Sequence, residues 1–282
     1  MYRLRKLLLC LGVLGLGLLG CALPASAVQR PQPPQLPQPP HRGQVCTHPV
    51  WSSTGPGGTR SGPGIYHPGN SDYIVDNDMW NATGNDVSQT INVCSYHSWY
   101  VDDTIPAGTS TAVKTYPNVH VDYRNWVTGY QPPLSRYPRI TSTYAGHGPN
   151  VGIYEYAYDI WLNGVGTPGS NEVMIWTDNH GQTPAGSLVA SNVEISGRRW
   201  DVWVTSGNSY VAFVPSHGRA YPSGTLTLTG FFHYLIHGGE LAGTSTLGQI
   251  CYGIEVVSTG GGTVRYDVTN FGVHPAHRAI EG

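Results

Sequence analysis

Short runs of β-branched and aromatic residues, each bounded by Gly, Pro, Asn or Asp, recur along most of this chain. Such runs predict β-strands joined by tight turns. The chain has 37 Gly, 18 Tyr and 8 Trp, a composition that favours strands and turns over helices. Ten strands are therefore predicted: Tyr73–Val75, Thr90–Ser95, Ala112–Tyr116, Tyr154–Trp161, Glu172–Thr177, Ser187–Val193, Arg199–Thr205, Tyr210–Pro215, Ile250–Val257 and Thr263–Val268.

The segment Leu226–Ile236 breaks this pattern, because its apolar residues recur at near-helical spacing. It is followed by Gly238 and Gly239, which are suited to cap the carboxyl end of a helix. We predict one helix here, covering the outer face of a sheet. Since strands and helices do not otherwise alternate, the sequence predicts an all-β fold, a two-sheet antiparallel β-sandwich of the jelly-roll type.

The first 27 residues have the pattern of a signal peptide. Three basic residues precede an apolar stretch that is too short to span a bilayer, and residues 25–27 (Ala-Ser-Ala) match a cleavage site. The run Leu18–Cys21 also resembles a bacterial lipobox, in which Cys21 would be lipidated. We therefore expect a secreted protein, with a lipid anchor at Cys21 as the alternative.

Residues 28–45 are rich in Pro and Gln and predict an extended linker. The globular domain is expected at residues 46–273, followed by a polar tail at residues 274–282. Charged residues make up 11% of the chain and the net charge is −2, which gives no basic surface for nucleic acid. The abundant aromatic and uncharged polar groups instead favour a neutral ligand with stackable faces, such as a sugar.

Three cysteines, Cys46, Cys94 and Cys251, lie in the globular part. In an exported protein two of them are expected to form a disulfide. Cys46 and Cys94 are the better candidates, because Cys251 lies close to an in-strand glutamate. We expect Cys251 to be buried and to pack as a small apolar side chain.

The predicted strand within Asn171–Trp176 has an unusual face. Because side chains alternate along a strand, Glu172, Met174 and Trp176 lie on one side. The chain has only six Glu, so a Glu in this position is unlike routine surface charge. A carboxylate beside a thioether and an indole suits a sugar-binding face better than a core face.

Two further acidic residues interrupt predicted strands. Glu255 lies in an otherwise apolar strand, and Asp159 shares a face with Trp161. Desolvation disfavours the charged form of such a carboxyl group, and neighbouring carboxyl groups disfavour each other's ionisation. This arrangement can divide carboxyl groups into a proton donor and a nucleophile, the pair that glycoside hydrolysis requires. For one acid alone a structural role is the better interpretation, but three such acids favour catalysis.

These motifs resemble those of glycoside hydrolase family 12, the small retaining endo-β-1,4-glucanases. Residues 171–176 (NEVMIW) match the family's nucleophile motif at every position. Residues 253–255 and the Gly-rich run at 260–262 are similar to its acid/base strand, and residues 158–161 (YDIW) are similar to a strand whose Asp contacts the nucleophile. Residues 73–80 resemble its amino-terminal signature. The resemblance extends from about Cys46 to Val273.

The resemblance implies catalytic roles for three residues. Glu172 would attack the anomeric carbon, and Glu255 would act as general acid and then general base. Asp159 would hold Glu172 through a hydrogen bond and shape its pKa. The family's amino-terminal disulfide would correspond to Cys46 and Cys94.

The resemblance also implies a substrate-binding role for Trp80, Asp78, Met174 and Trp176. Trp80 would stack on a glucose ring, Met174 would pack under the sugar at the cleavage point, and Trp176 would line the floor. Asp78 stands where the family has an Asn that bonds to sugar hydroxyls, and Asn81 stands where it has a Gly. Because an Asp carboxylate accepts hydrogen bonds but does not donate them, we expect altered sugar affinity there.

The expected architecture is a bent sandwich with an open substrate cleft on its concave sheet. The expected activity is endo-hydrolysis of a β-1,4-linked glucan with retention of configuration, by a monomer without cofactor, metal, nucleic acid or obligate protein partner. His233 and His237 are four residues apart on the predicted helix but lack a third ligand, so we interpret them as surface or packed residues. The alternatives are a noncatalytic, lectin-like carbohydrate-binding protein and, among enzymes, a xyloglucan-specific endoglucanase.

Overall fold

The structure is a computed structural model that describes residues 43–58, 60–69, 71–108 and 111–275. The predicted signal peptide with Cys21, and most of the predicted linker and tail, lie outside these residues. Within the described ranges, no helix is long and apolar enough to cross a membrane.

Two β-sheets form the fold, as predicted. The smaller sheet has six strands in the spatial order β1 (Trp51–Ser53), β4 (Ser88–Ser95), β5 (Ser98–Thr104), β15 (Thr263–His274), β7 (Thr141–His147) and β13 (Ser223–Thr227). The larger sheet has nine strands in the order β10 (Ser187–Ile195), β11 (Arg198–Val204), β12 (Tyr210–Pro215), β9 (Asn171–His180), β8 (Ile153–Leu162), β14 (Leu247–Ser258), β6 (Asn118–Asp122), β3 (Tyr73–Asp76) and β2 (Ile65–Tyr66).

Neighbouring strands described here pair in antiparallel fashion except β12 and β9, which are parallel. The two sheets enclose one large apolar core, to which buried aromatic residues such as Trp99, Tyr156 and Tyr252 contribute. Side chains of the larger sheet that face this core alternate with side chains that face the opposite side. That opposite side of the larger sheet carries the candidate site.

The predicted strand Ala112–Tyr116 is wrong. In this segment only Thr115 makes an isolated bridge, to Val256, and the regular strand β6 begins at Asn118. Pro117 separates the two, and because proline has no amide hydrogen it cannot continue a ladder of hydrogen bonds. Every other predicted strand overlaps a strand of the structure.

One α-helix is present in the described ranges, α1 (Leu228–Gly238); it lies where a helix was predicted but begins two residues later. Leu226 and Thr227 belong to β13 because they pair with β7. The helix is capped by Gly239, whose left-handed backbone (φ 86°) suits glycine. Phe231 of the helix packs edge-to-face on a ring of the larger sheet, Phe213, with 5.0 Å between centroids. The helix therefore covers the core-facing side of strands β11 and β12, so the prediction that it covers the outer face of a sheet is wrong.

Cys46 and Cys94 form a disulfide, as predicted, with their Cα atoms 5.5 Å apart. Cys251 is free and buried. Just before Cys46, the amide of Gln44 donates a hydrogen bond to the carbonyl oxygen of Thr269 on β15 (2.9 Å). The start of the described chain is thus attached to the smaller sheet.

Candidate active site

A cleft of about 630 Å³ lies on the side of the larger sheet that faces away from the core. Its floor is built by five neighbouring strands, β3, β6, β14, β8 and β9. Strands lie about 4.8 Å apart, so the floor is roughly 19 Å wide from the first strand to the last. Five acidic side chains contribute to the lining: Asp76, Asp78, Asp159, Glu172 and Glu255.

The register of the sheet brings the three predicted catalytic acids to the same face. On β9, Glu172 lies opposite Trp161 of β8. Two residues along β8, Asp159 lies opposite Met174 on one side and Cys251 on the other. Further along the same direction, Glu255 of β14 projects into the cleft. Residues far apart in the sequence thus form one carboxyl cluster.

Burial perturbs the ionisation of these groups. Desolvation, with a smaller contribution from the charge of Glu255, raises the pKa of Glu172 to about 8. Desolvation also raises the pKa values of Asp159 and Glu255 well above the usual range, with a smaller contribution from the neighbouring carboxyl groups. Because the pKa of Glu172 rises least, Glu172 loses its proton before Asp159 and Glu255 do.

Asp159 and Glu172 interact through their charges, and the hydrogen bond between them that the family resemblance implies stays a prediction. The side chain of Trp161 donates a hydrogen bond to Asp159 and lowers its pKa, while the charge of Glu172 raises it. The Oδ1 atom of Asp159 has no hydrogen-bond partner among the described residues. That buried oxygen is therefore free to interact with a neighbouring carboxyl group or with a ligand.

Met174 and Trp176 lie on the predicted face, but they do not line the cleft. Each is only 1% exposed, and together with Ala157 and Ala212 they form a small apolar cluster. Partly buried side chains, including Tyr210, pack on this cluster. These covering side chains separate Met174 and Trp176 from the solvent. The alternation of side chains along one strand does not predict this contact between strands.

Trp80 is 64% exposed and lines the cleft, as expected for a stacking platform. Its amide donates a hydrogen bond to Oδ1 of Asp78 (3.0 Å). The Nδ2 group of Asn81 donates to the carbonyl oxygen of Val113 (2.8 Å). The Asn that replaces the family's Gly therefore ties the Trp80 loop to a neighbouring segment.

The carboxyl group of Asp78 changes its hydrogen-bonding capacity with pH. Burial raises its pKa to about 6, although the bond from the Trp80 amide lowers it. Below this pH the protonated group can donate to a sugar hydroxyl, and above it the carboxylate only accepts. We predict that Asp78→Asn, which donates at every pH, lowers KM for a soluble glucan about three- to tenfold at pH 8 and little at pH 5.

The measurement is the pH dependence of KM for wild type and variant. Asp86→Asn is the matched control, because Asp86 is an exposed carboxylate outside the cleft lining. A KM that changes by the same factor at both pH values would show that protonation of Asp78 does not control sugar binding.

Several lining residues were not predicted from the sequence. On β14, Gln249 and Cys251 are two residues apart, so both side chains point into the cleft. The Cys251 thiol donates a hydrogen bond to Oε1 of Gln249 (3.1 Å). On β6, Asn118 and His120 also point into the cleft and are joined by a 2.9 Å hydrogen bond. The period-two pattern that leads back from Glu255 identifies Cys251 and Gln249, whereas β6 was not predicted as a strand.

Tyr116 also lies in the cleft, in the segment before β6. Its amide donates to the carbonyl oxygen of Asp78 (2.8 Å), and its hydroxyl group donates to the carbonyl oxygen of Ala157 (3.1 Å). The close approach of this segment requires Gly253, because a Cβ atom there would overlap the carbonyl oxygen of Pro117. Tyr116 is thus held across the floor by main-chain groups on both sides.

In the described part of the chain, no group of three or more His, Cys, Asp or Glu side chains is arranged to hold a metal ion. His233 and His237 are both exposed on α1. The cleft therefore offers carboxyl chemistry, an exposed indole and uncharged hydrogen-bonding groups to a ligand.

Comparison with known proteins identifies related folds. No curated protein matches this chain. Among solved structures, a family 12 xyloglucanase from Bacillus licheniformis with bound ligand is 25% identical, with a TM-score of 0.65 over 79% of this chain and 99% of that chain. The xyloglucanase domain of NopAA, a type three effector from Sinorhizobium fredii in complex with cellobiose, is 23% identical, with a TM-score of 0.65 over 80% of this chain and 99% of that chain.

An endoglucanase from Rhodothermus marinus is 24% identical, with a TM-score of 0.60 over 74% of this chain and 94% of that chain. These likenesses agree with the two-sheet fold. The sequence profile of Glycosyl hydrolase family 12 matches residues 71–274, which include the cleft-lining acids. The chain belongs to glycosyl hydrolase family 12.

Proposed function

We propose that this protein is a retaining endo-glucanase that hydrolyses internal β-1,4-glucosidic bonds of a cellulose-like glucan. The observation that carries the proposal is the presence of Glu172, Asp159 and Glu255 in one cleft, with Glu172 the first of the three to ionise. A site that only binds neutral sugars has no need for buried carboxyl groups, since their desolvation costs free energy. Catalysis gives these groups a use.

In the first step, the Glu172 carboxylate attacks the anomeric carbon as the bond to the glycosidic oxygen breaks. Glu255 gives its proton to that leaving oxygen, so a covalent glycosyl ester on Glu172 and a shortened glucan result. The high pKa of Glu255 keeps it protonated for this role. Burial, together with the charges of Glu172 and Glu255, raises the pKa of Asp159 well above its usual range, so Asp159 keeps its proton when Glu172 has lost its own.

In the second step, a water molecule attacks the anomeric carbon of the ester. Glu255, now a carboxylate, removes a proton from that water as the bond to Glu172 breaks. Two displacements at the same carbon restore the β-configuration. This chemistry requires the two carboxyl groups to be about 5–5.5 Å apart when the substrate is bound.

The endo mode of action is supported by the form of the cleft. The floor crosses five neighbouring strands, and both Trp80 and Glu172 line the cleft. A glucan chain that lies across this floor can contact Trp80 and the carboxyl cluster at the same time. Subsites on both sides of the cleavage point favour attack within a chain rather than at its end.

A xyloglucan preference is the second candidate, because two of the similar structures are xyloglucanases by their own description. Cellulose-like glucans and xyloglucan differ in branching, so a substrate panel separates them. The protein is expected to release reducing ends from at least one of carboxymethyl cellulose, mixed-linkage β-glucan and xyloglucan. The substrate with the highest kcat/KM identifies the specificity.

Retention is tested on the same enzyme by following a soluble cello-oligosaccharide with proton NMR. We expect the β-anomer of the new reducing end to appear first and the α-anomer to follow only by mutarotation. A purified Glu172→Gln variant controls for contaminating glycosidases. Initial formation of the α-anomer would rule out the double displacement, and no release from any of the three glucans would favour a noncatalytic carbohydrate-binding protein.

A further inference from the structure

Besides the five acidic residues that line the cleft, one more carboxyl group lies beside the carboxyl cluster. It has no role in the chemistry described above. Glu155 is on β8, directly opposite Glu255 on β14. It is 1% exposed, whereas Glu255 is partly exposed and lines the cleft. Glu155 therefore lies beside Glu255 on the sheet but does not line the cleft. The alternation along β8 places it on the same face as Asp159, four residues later.

The two glutamate side chains interact directly. Glu255 donates a hydrogen bond to Glu155. No other hydrogen-bond partner of the Glu155 Oε2 atom is found among the described residues. Within the same residues, no Lys or Arg forms an ion pair with Glu155. The interactions of the Glu155 carboxyl group are thus directed to Glu255 rather than to a structural counter-ion.

The proton is unequally shared within this pair. Burial raises the pKa of Glu155 to about 7, and the hydrogen bond from Glu255 lowers it. Burial raises the pKa of Glu255 well above its usual range, and both the charge of Glu155 and the donated hydrogen bond raise it further. When the first proton leaves the pair, Glu155 becomes the carboxylate and Glu255 stays protonated.

We propose that Glu155 is a positioning residue that holds the protonated carboxyl group of Glu255 in place for proton transfer to the leaving oxygen. The inference rests on the proposed function, in which Glu255 is the general acid. When Glu255 has given its proton to the leaving oxygen, two adjacent carboxylates remain. Their repulsion favours the return of a proton from the incoming water to Glu255 in the second step.

The test is Glu155→Gln, which keeps the size of the side chain and removes its charge. Without that charge Glu255 ionises more readily, so we expect the basic limb of the kcat/KM profile to move down by about one pH unit. We expect kcat on a soluble β-glucan to fall about 10- to 100-fold. A dinitrophenyl β-cellobioside, whose leaving group needs no proton, should lose less than about threefold.

Asp103→Asn is the matched control. Asp103 is a fully buried acid of the smaller sheet, and burial raises its pKa to about 7, as it does for Glu155. Both variants therefore lose a buried carboxyl group, but only Glu155→Gln changes a residue beside Glu255. Asp103→Asn is expected to leave the pH profile unchanged, and also the ratio of kcat on the β-glucan to kcat on the dinitrophenyl β-cellobioside. This holds whatever its effect on thermal unfolding.

An unmoved basic limb in folded Glu155→Gln, or equal losses on the two substrates, would overturn the inference. Should that variant fail to fold, Glu155→Asp keeps the charge but withdraws it by one methylene group. It is expected to lower kcat on the glucan selectively, and an unchanged kcat would be equally decisive against the inference. Wild-type turnover of the glucan by Glu255→Gln would instead refute the proposed function itself, so the two failures are distinguishable.

Discussion

Replacement of Glu172 by Gly is expected to lower the turnover of a glucan about 10⁵-fold, because the covalent step loses its nucleophile. Sodium azide is expected to restore turnover of an aryl cellobioside and to yield an α-glycosyl azide. The small anion occupies the space left by the carboxylate and attacks from the same side, which inverts the configuration once. The product is identified by NMR.

Glu255→Ala is the informative partner variant. Without the general acid, an aryl cellobioside with a good leaving group can still glycosylate Glu172. Azide then attacks that intermediate from the opposite side, so the product is expected to be the β-glycosyl azide. Glu194→Ala, at an exposed carboxylate on β10, is expected to behave as wild type. Exchange of the two azide products between the variants would reverse the assigned roles.

Asp76→Asn is expected to make the protein more stable at neutral pH. Asp76 is 4% exposed, its Oδ1 atom has no hydrogen-bond partner among the described residues, and Gly57 packs directly on that oxygen. Burial raises the pKa of Asp76 to about 9, and the charge of Asp78 adds to the rise. The folded protein therefore keeps a proton here that the unfolded chain releases near pH 4.

Because the folded state binds this extra proton, the free energy of unfolding falls as pH rises between about 4 and 9. The slope is about 1.4 kcal/mol per pH unit, so the loss reaches up to about 4 kcal/mol at pH 7. Asn has no proton to lose and removes the slope. Urea unfolding should show Asp76→Asn more stable than wild type at pH 7 and similar at pH 4.

Asp86→Asn provides a control for the loss of one negative charge at an exposed position. It is expected to change the free energy of unfolding by less than about 0.5 kcal/mol at either pH. An Asp76→Asn effect of the same size at pH 4 and pH 7 would contradict the linkage, because it would show that no proton is involved.

The strands that were predicted correctly have apolar residues on at least one face. Strand β5 was missed because Asp102 and Asp103 adjoin within it. Asp102 forms an ion pair with Arg265, whereas Asp103 is buried in the core. This difference arises only when the opposite sheet packs on one side of the strand. Strand β6 was missed because Pro117 and the polar Asn118 precede its short apolar part. Tertiary context, not local pattern, decided both cases.

The candidate site was predictable where one strand carries its own signal, as for Glu172, Asp159 and Glu255. Glu155 follows the same alternation as Asp159, yet it was not predicted as a site residue. Its proposed role depends on its pairing with Glu255, which one strand alone does not show. That register joins strands about a hundred residues apart and depends on the whole sheet. The burial of Met174 and Trp176 likewise depends on side chains from β11 and β12, which the sequence alone does not bring near.

The hydrogen bonds of Tyr116 have a consequence for substrate recognition. Both its amide and its hydroxyl group are bound to main-chain oxygens, which holds the ring in place at the floor. A side chain that is already immobile loses little conformational entropy when a ligand covers it. This part of the cleft is therefore preorganised, and an arriving ligand meets a surface that has its final shape before contact.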